Sequence, residues 1–118
     1  MSDIARLREY LSNIIVATDR IAAFTAGMDF SAFQTDLRTQ DAVIRNIEII
    51  GEAANRIVRN YPQFVETHSE LPLRAAYEMR NVVAHGYFKV DIQIVWNTVQ
   101  DDLPQLGLQL RQVMEELP

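Results

Sequence analysis

Apolar residues recur at alternating steps of three and four through most of this chain. Ile4, Leu7, Leu11, Ile14, Thr18, Ile21 and Thr25 form one such series, with Ile15 and Ala22 beside it. A single stripe of this period predicts a helix from about Asp3 to Ala26 with one buried seam. Ser2 is placed to cap its start, and Gly27 suits the left-handed residue that ends it. Val43, Ile47, Ile50, Ala54, Ile57 and Tyr61 make a second seam. It predicts a helix from about Thr39 to Tyr61, stopped by Pro62. Between the two, Ser31 and Gln34 have the spacing of a capping box and predict one helical turn, with Phe30 and Phe33 pinning it to the core.

Residues 62–72 read as a connection holding at most a short helical turn, and Pro72 suits the first turn of a third helix, about 72–84. Asp91 can cap a last helical region whose seam runs Ile92, Trp96, Val99, Leu103, Leu106, Leu110, Val113 and Leu117. Pro104 lies inside this seam and predicts a kink or break near 101–104. No stretch alternates with period two long enough to make a sheet. The pattern therefore predicts an all-α antiparallel bundle of four to five helices, one domain over 1–118. Three long seams on so short a chain leave surface to cover, which predicts a homodimer.

Charge narrows the function classes. The 118 residues carry a net charge of −5, against a general nucleic-acid-coating role. The balance is local: residues 1–37 carry −2, residues 90–118 carry −4, and residues 38–89 carry +1. Ten of the eleven basic residues are arginine, so a phosphate-binding surface belongs in the middle segment. There is no cysteine, hence neither a disulfide framework nor a thiolate metal site. No window approaches a membrane span and no apolar signal core opens the chain, so the expectation is a cytoplasmic protein with no membrane partner.

The candidate chemistry sits in Arg80-Asn81-Val82-Val83-Ala84-His85-Gly86-Tyr87-Phe88. Arginine offers a permanent planar cation for phosphate oxygens, and histidine exchanges a proton near neutral pH. Tyrosine carries its hydroxyl on a stackable ring. On a straight helix Arg80 and His85 would stand about 140° apart. Gly86 permits the helix to end at about Ala84 and His85 to turn toward Arg80. With no metal ligands near it, such a site calls for no cofactor and suits RNA, whose own 2′-hydroxyl can attack the phosphorus. His85 would then be the acid–base group, Arg80 the charge stabiliser and Asn81 an orienting amide. The bland alternatives are a C-capping histidine, an arginine paired with Glu52 or Glu78, and a Tyr87–Phe88 pair that closes the core.

Elsewhere Glu48, Glu52, Asn55 and Arg59 share a face of the second helix. This row reads first as a solvated face laced by ion pairs, with Glu52, Asn55 and Arg59 as candidate support for a cleft. Gly51 interrupts a good helix, at a cost of about 1 kcal/mol relative to alanine, and predicts close approach of another helix. His68, without an acidic or histidine partner at ligand spacing, reads as an exposed loop residue.

Two blocks together carry a resemblance to a known family. Met79 to Phe88, followed by Val90-Asp91-Ile92-Gln93-Ile94-Val95-Trp96, resembles the signature of HepT-like proteins of the HEPN superfamily. Asp41 to Ala54 resembles the second-helix signature of the same family. The resemblance implies a metal-independent ribonuclease toxin of a type VII toxin–antitoxin pair, working as a homodimer with its motif residues in a shared cleft. It implies Arg80 and His85 as the catalytic pair with Asn81 beside them. Tyr87 would be the residue to which an MntA-like minimal nucleotidyltransferase antitoxin adds AMP. Leu73 and Glu78 depart from the family pattern, and Glu78 brings an acid close to Arg80. The alternative reading is a non-catalytic helical partner of such a nucleotidyltransferase, with Arg80 and Tyr87 holding a nucleotide.

Overall fold

The computed structural model describes residues 3–84 and 91–118, with 82–84 described as backbone only. Helix α1 spans Asp3–Thr25, α2 Phe30–Thr35, α3 Leu37–Asn60, α4 Pro62–Thr67 and α5 Leu73–Ala84; α6 spans Ile92–Asn97 and α7 Leu103–Glu116. A π-helical turn, Thr98–Asp102, joins the last two into one rod. The long elements are the antiparallel all-α bundle that the seams predict, and the described residues contain no strand. Helix α3 packs on α1 and on α5, while α7 packs on α1 and shares a groove with α5. Antiparallel order shows in the contacts: Tyr10 near the start of α1 meets Tyr61 just past the end of α3. Also from α1, Arg8 bonds the carbonyls of Leu117 and Pro118, and Asp19 pairs with Arg111.

The seams go where the periodicity puts them except at Ile4, which is 43% exposed at the start of α1, and at exposed Ala22. Leu7, Leu11, Ile14 and Ile21 from α1 join Val43, Ile47, Ile50, Ala54 and Ile57 from α3 in the buried core. Burial of this much apolar side chain is the main favourable contribution to the fold. Gly27 ends α1 with φ of +76°, the left-handed region that favours glycine.

Three boundaries differ from the sequence expectation. Helix α2 is capped by Asp29, whose carboxylate accepts from the Ala32 N–H at 2.8 Å, and Ser31 lies inside the helix. A carboxylate two residues earlier satisfies the free amides more strongly than the Ser31–Gln34 pair. Helix α3 begins two residues early because Asp36 caps it, accepting from the Thr39 N–H and hydroxyl at 3.0 and 2.8 Å. Buried Gln40 ties the two helices together, donating its amide to the carbonyls of Phe33 and Gln34 at 2.9 Å. Pro62 does end α3, and it also opens α4, where its missing N–H costs nothing.

The third difference lies at Pro104. The rod is not broken there. A wide turn precedes the proline, with the Leu103 N–H reaching the Thr98 carbonyl five residues back. This loosening accommodates a residue that cannot donate, and Pro104 falls at the start of α7. The turn also shifts phase. Upstream of it Val95 takes the fully buried place that the unbroken seam would give Trp96. Trp96 is half-buried and packs on Phe33 and Phe30, with centroids 5.1 and 6.4 Å apart. Phe33 is completely buried, so the two phenylalanines do anchor α2.

Candidate functional site

Helix α5 starts at Leu73, which is buried along with Ala76 and seats the helix on α3. One turn further its path crosses Gly51. A β-carbon added at Gly51 would overlap the Cβ of Arg80 and stand 3.1 and 3.2 Å from its Cδ and Cγ. The absent side chain of Gly51 is thus the space that the stem of Arg80 occupies. This explains a glycine in the middle of a 24-residue helix.

The guanidinium emerges beside Glu52. Arg80 Nη1 donates to Glu52 Oε2 at 3.3 Å, and Arg56 Nε donates to Glu52 Oε1 at 3.2 Å. Each carboxylate oxygen is therefore engaged by a different arginine. The Arg80 side chain remains 37% exposed, enough for a ligand to reach it. Glu52 has its ion-pairing role, and of the two acids considered for Arg80 it is the partner. Exposed Glu78 lines a separate groove with Glu70 and Asp102, on another side of α5. Buried Leu73 serves the core.

A cleft of about 500 Å³ opens in front of Arg80. Helix α1 contributes Tyr10 and Asn13 to its lining; α3 contributes Arg45, Glu48, Ile49, Glu52, Ala53 and Arg56. Arg45 and Glu48 approach within 3.7 Å. Both glutamates are thus neighbours of arginines, and the three arginines leave the lining with a positive balance in an acidic chain. Such a surface attracts phosphate locally while the rest of the molecule does not.

Of the sequence candidates, Arg80 and Glu52 meet in this cleft. Asn81 follows Arg80 on α5 and is half-buried. Half-buried Asn55 and exposed Arg59 stand further along α3 and are not among the described residues that line the cleft. His85 and Tyr87 lie outside the described residues. His68 corrects an expectation: it is half-buried, caps α4, and stacks on Phe64 with centroids 4.3 Å apart. Its Nδ1 lies 3.1 Å from the Phe64 carbonyl oxygen. A ring four residues after a phenylalanine on a helix finds that face before it finds solvent.

Arg45, Arg56, Tyr10 and Asn13 are cleft residues that the sequence reading missed. Arg56 carried a signal, four residues after Glu52 on the same helix face. Tyr10 and Asn13 carried none, since their position depends on how α1 packs against α3. Among the described residues no group of three or more His, Cys, Asp or Glu converges on a common point, and no helix is long and apolar enough to cross a membrane.

The described fold is thus a helical bundle with Arg80, the arginine of an Arg-x4-His sequence, at a cationic cleft. Residues 14–113 match the family described as ribonuclease HepT-like, and the chain belongs to that family. It is 40% identical over 99 residues to the "Probable ribonuclease HepT" of Thermococcus cleftensis, covering 84% of this chain and 87% of that one. Identity is 33% over 110 residues to a "Putative RNase" of Caldanaerobacter subterraneus subsp. tengcongensis, covering 92% and 95%. A "Gamma-glutamylcyclotransferase and putative RNase" of Methanocaldococcus jannaschii is 38% identical over 109 residues, which cover 92% of this chain but 47% of that longer protein. No solved structure gives a significant match.

Proposed function

We propose that the chain is a metal-independent endoribonuclease that cuts RNA by attack of the 2′-hydroxyl on the adjacent phosphorus. The carrying observation is the placement of Arg80: its stem is fixed by Gly51 and its guanidinium is held by Glu52 at a cationic cleft, five residues before His85. Arg80 stabilises the charge that grows on the phosphoryl oxygens. His85 takes the proton from the 2′-hydroxyl and returns one to the departing 5′-oxygen, with Asn81 orienting either group. The 2′-oxygen–phosphorus bond forms as the phosphorus–5′-oxygen bond breaks, leaving a 2′,3′-cyclic phosphate and a 5′-hydroxyl. Independence from a metal is supported by Glu52, whose two oxygens are both engaged by arginines.

In this reading the enzyme is the toxin of a toxin–antitoxin pair and acts as a homodimer. A minimal nucleotidyltransferase silences it by adding AMP to Tyr87, because phosphate beside Arg80 would occupy and neutralise the RNA site. The test is cleavage of a defined single-stranded RNA in EDTA by wild type and His85→Ala side by side. Cyclic-phosphate products from wild type alone are expected. Unmodified wild type that leaves RNA intact, or cuts DNA at a comparable rate, would overturn the mechanism.

A further inference from the structure

We propose that the α1 wall of the cleft is a base-binding subsite for single-stranded RNA, with Tyr10 the stacking surface and Asn13 the base-contacting amide. Arg45 and Arg56 hold the phosphates that flank this base. The proposal rests on the ribonuclease reading of the cleft and adds where the substrate lies.

The cations come from α3 and α5. Arg45 and Arg56 are eleven residues apart on α3, so about 16 Å of helix axis separates them. Arg80 joins the row through the carboxylate that it shares with Arg56. A row of that length follows a polynucleotide backbone and exceeds what a single phosphate needs. The α1 wall has another chemistry. Tyr10 and Asn13 are three residues apart and therefore neighbours on one face of α1. Tyr10 is half-buried and held by the edge of Tyr61, with centroids 6.4 Å apart and planes at 66°.

A ring fixed in the wall of a cleft that also holds a row of cations suits a base stacked beside its own phosphates. The amide of exposed Asn13 offers both a donor and an acceptor to a base edge. Between the walls, Ile49 and Ala53 provide a floor without charge, suited to the flat face of a base. In a duplex the bases are stacked and paired, so the subsite selects single strands.

Binding of an uncleavable 2′-O-methyl RNA, measured by fluorescence anisotropy with wild type, Tyr10→Ala, Tyr10→Phe and Asn13→Ala, tests the subsite. Tyr10→Ala should weaken binding about ten-fold, whereas Tyr10→Phe, which keeps the ring, should stay within about two-fold. An abasic substitution scanned along the RNA should cost wild type a similar factor at one position and cost Tyr10→Ala nothing further there. Asn13→Ala should flatten the base preference at that same position. Circular dichroism melting shows that each variant is folded. Tyr10→Ala binding within about two-fold of wild type, or a flat abasic scan, would overturn the subsite. If wild type cuts RNA while these results fail, the subsite alone falls; if wild type does not cut RNA, the ribonuclease reading falls first.

Discussion

The stem of Arg80 lies across the bare backbone of Gly51, in space that any β-carbon at position 51 would fill. Two helices are thereby brought together at the residue on which the proposed chemistry depends, so the packing of the bundle and the aim of its arginine are one structural fact.

Gly51→Ala separates this packing from helix propensity. Alanine is the better helix former by about 1 kcal/mol. Here overpacking against Arg80 should outweigh that gain, leaving a net loss of about 1–2 kcal/mol in urea unfolding. Cleavage should fall further than stability does, since Arg80 must move. A stabilised, fully active Gly51→Ala would show that α5 does not rest on Gly51.

Glu52→Gln releases Arg56 and Arg80 from a shared carboxylate. Both partners are substantially exposed, so stability should change by less than about 1 kcal/mol. RNA binding should tighten, and its dependence on salt should steepen as two more cations meet phosphate. The single-turnover cleavage rate at saturating protein should fall because Arg80 loses its orienting partner. Unchanged affinity and unchanged rate together would count against a working Glu52–Arg80 pair.

Asp36 gives the fold an acid-side dependence. Hydrogen bonds from the Thr39 amide and hydroxyl hold its carboxyl below its ordinary value. A group depressed in the folded state stabilises it fully above the unfolded pKa, and that contribution is lost as pH falls through the folded pKa. Asp36→Ala should therefore melt lower than wild type at neutral pH, and the gap should close under strong acid. A gap independent of pH would assign the effect to something other than the carboxylate.

Phe33→Ala tests the anchoring of α2. The side chain is fully buried against Trp96, so its removal should cost about 3–5 kcal/mol in thermal or urea unfolding. Tryptophan fluorescence should shift to the red as Trp96 gains water. A loss below about 1 kcal/mol would mean that α2 is a peripheral turn.

The seams were legible because burial imposes its period on the sequence directly. Val43, Ile47, Ile50, Ala54 and Ile57 name the core face of α3 whatever packs against it. Gly51 was legible as a close approach, but not as the seat of Arg80, since the partner across a helix crossing is set by three-dimensional packing. Helix starts were misjudged where aspartates, Asp29 and Asp36, outcompeted weaker capping patterns. Of the cleft, Arg80 could be named from the sequence, and Glu52 only as one of two candidate partners, beside Glu78. Tyr10 and Asn13 could not, because α1 carries no mark of which side meets α3's arginines. His68 was placed in solvent because its neighbours in sequence are polar, while Phe64, one turn back, decides its position.

The wide turn at Thr98–Asp102 makes the length of this stretch a quantity counted in single residues. Helix α6 answers to α2 through Trp96, and α7 answers to α1 through Asp19 and Arg111. The two halves point correctly only because one surplus residue is absorbed between them. Deleting Gln100 would remove that residue and let an ordinary α-helix run through with both halves as they are, whereas a regular α-turn that kept it would rotate one half against the other by about 100°. In related chains, loss of one residue within Thr98–Asp102 should therefore be accepted, whereas single-residue insertions or deletions within α6 or α7 should not.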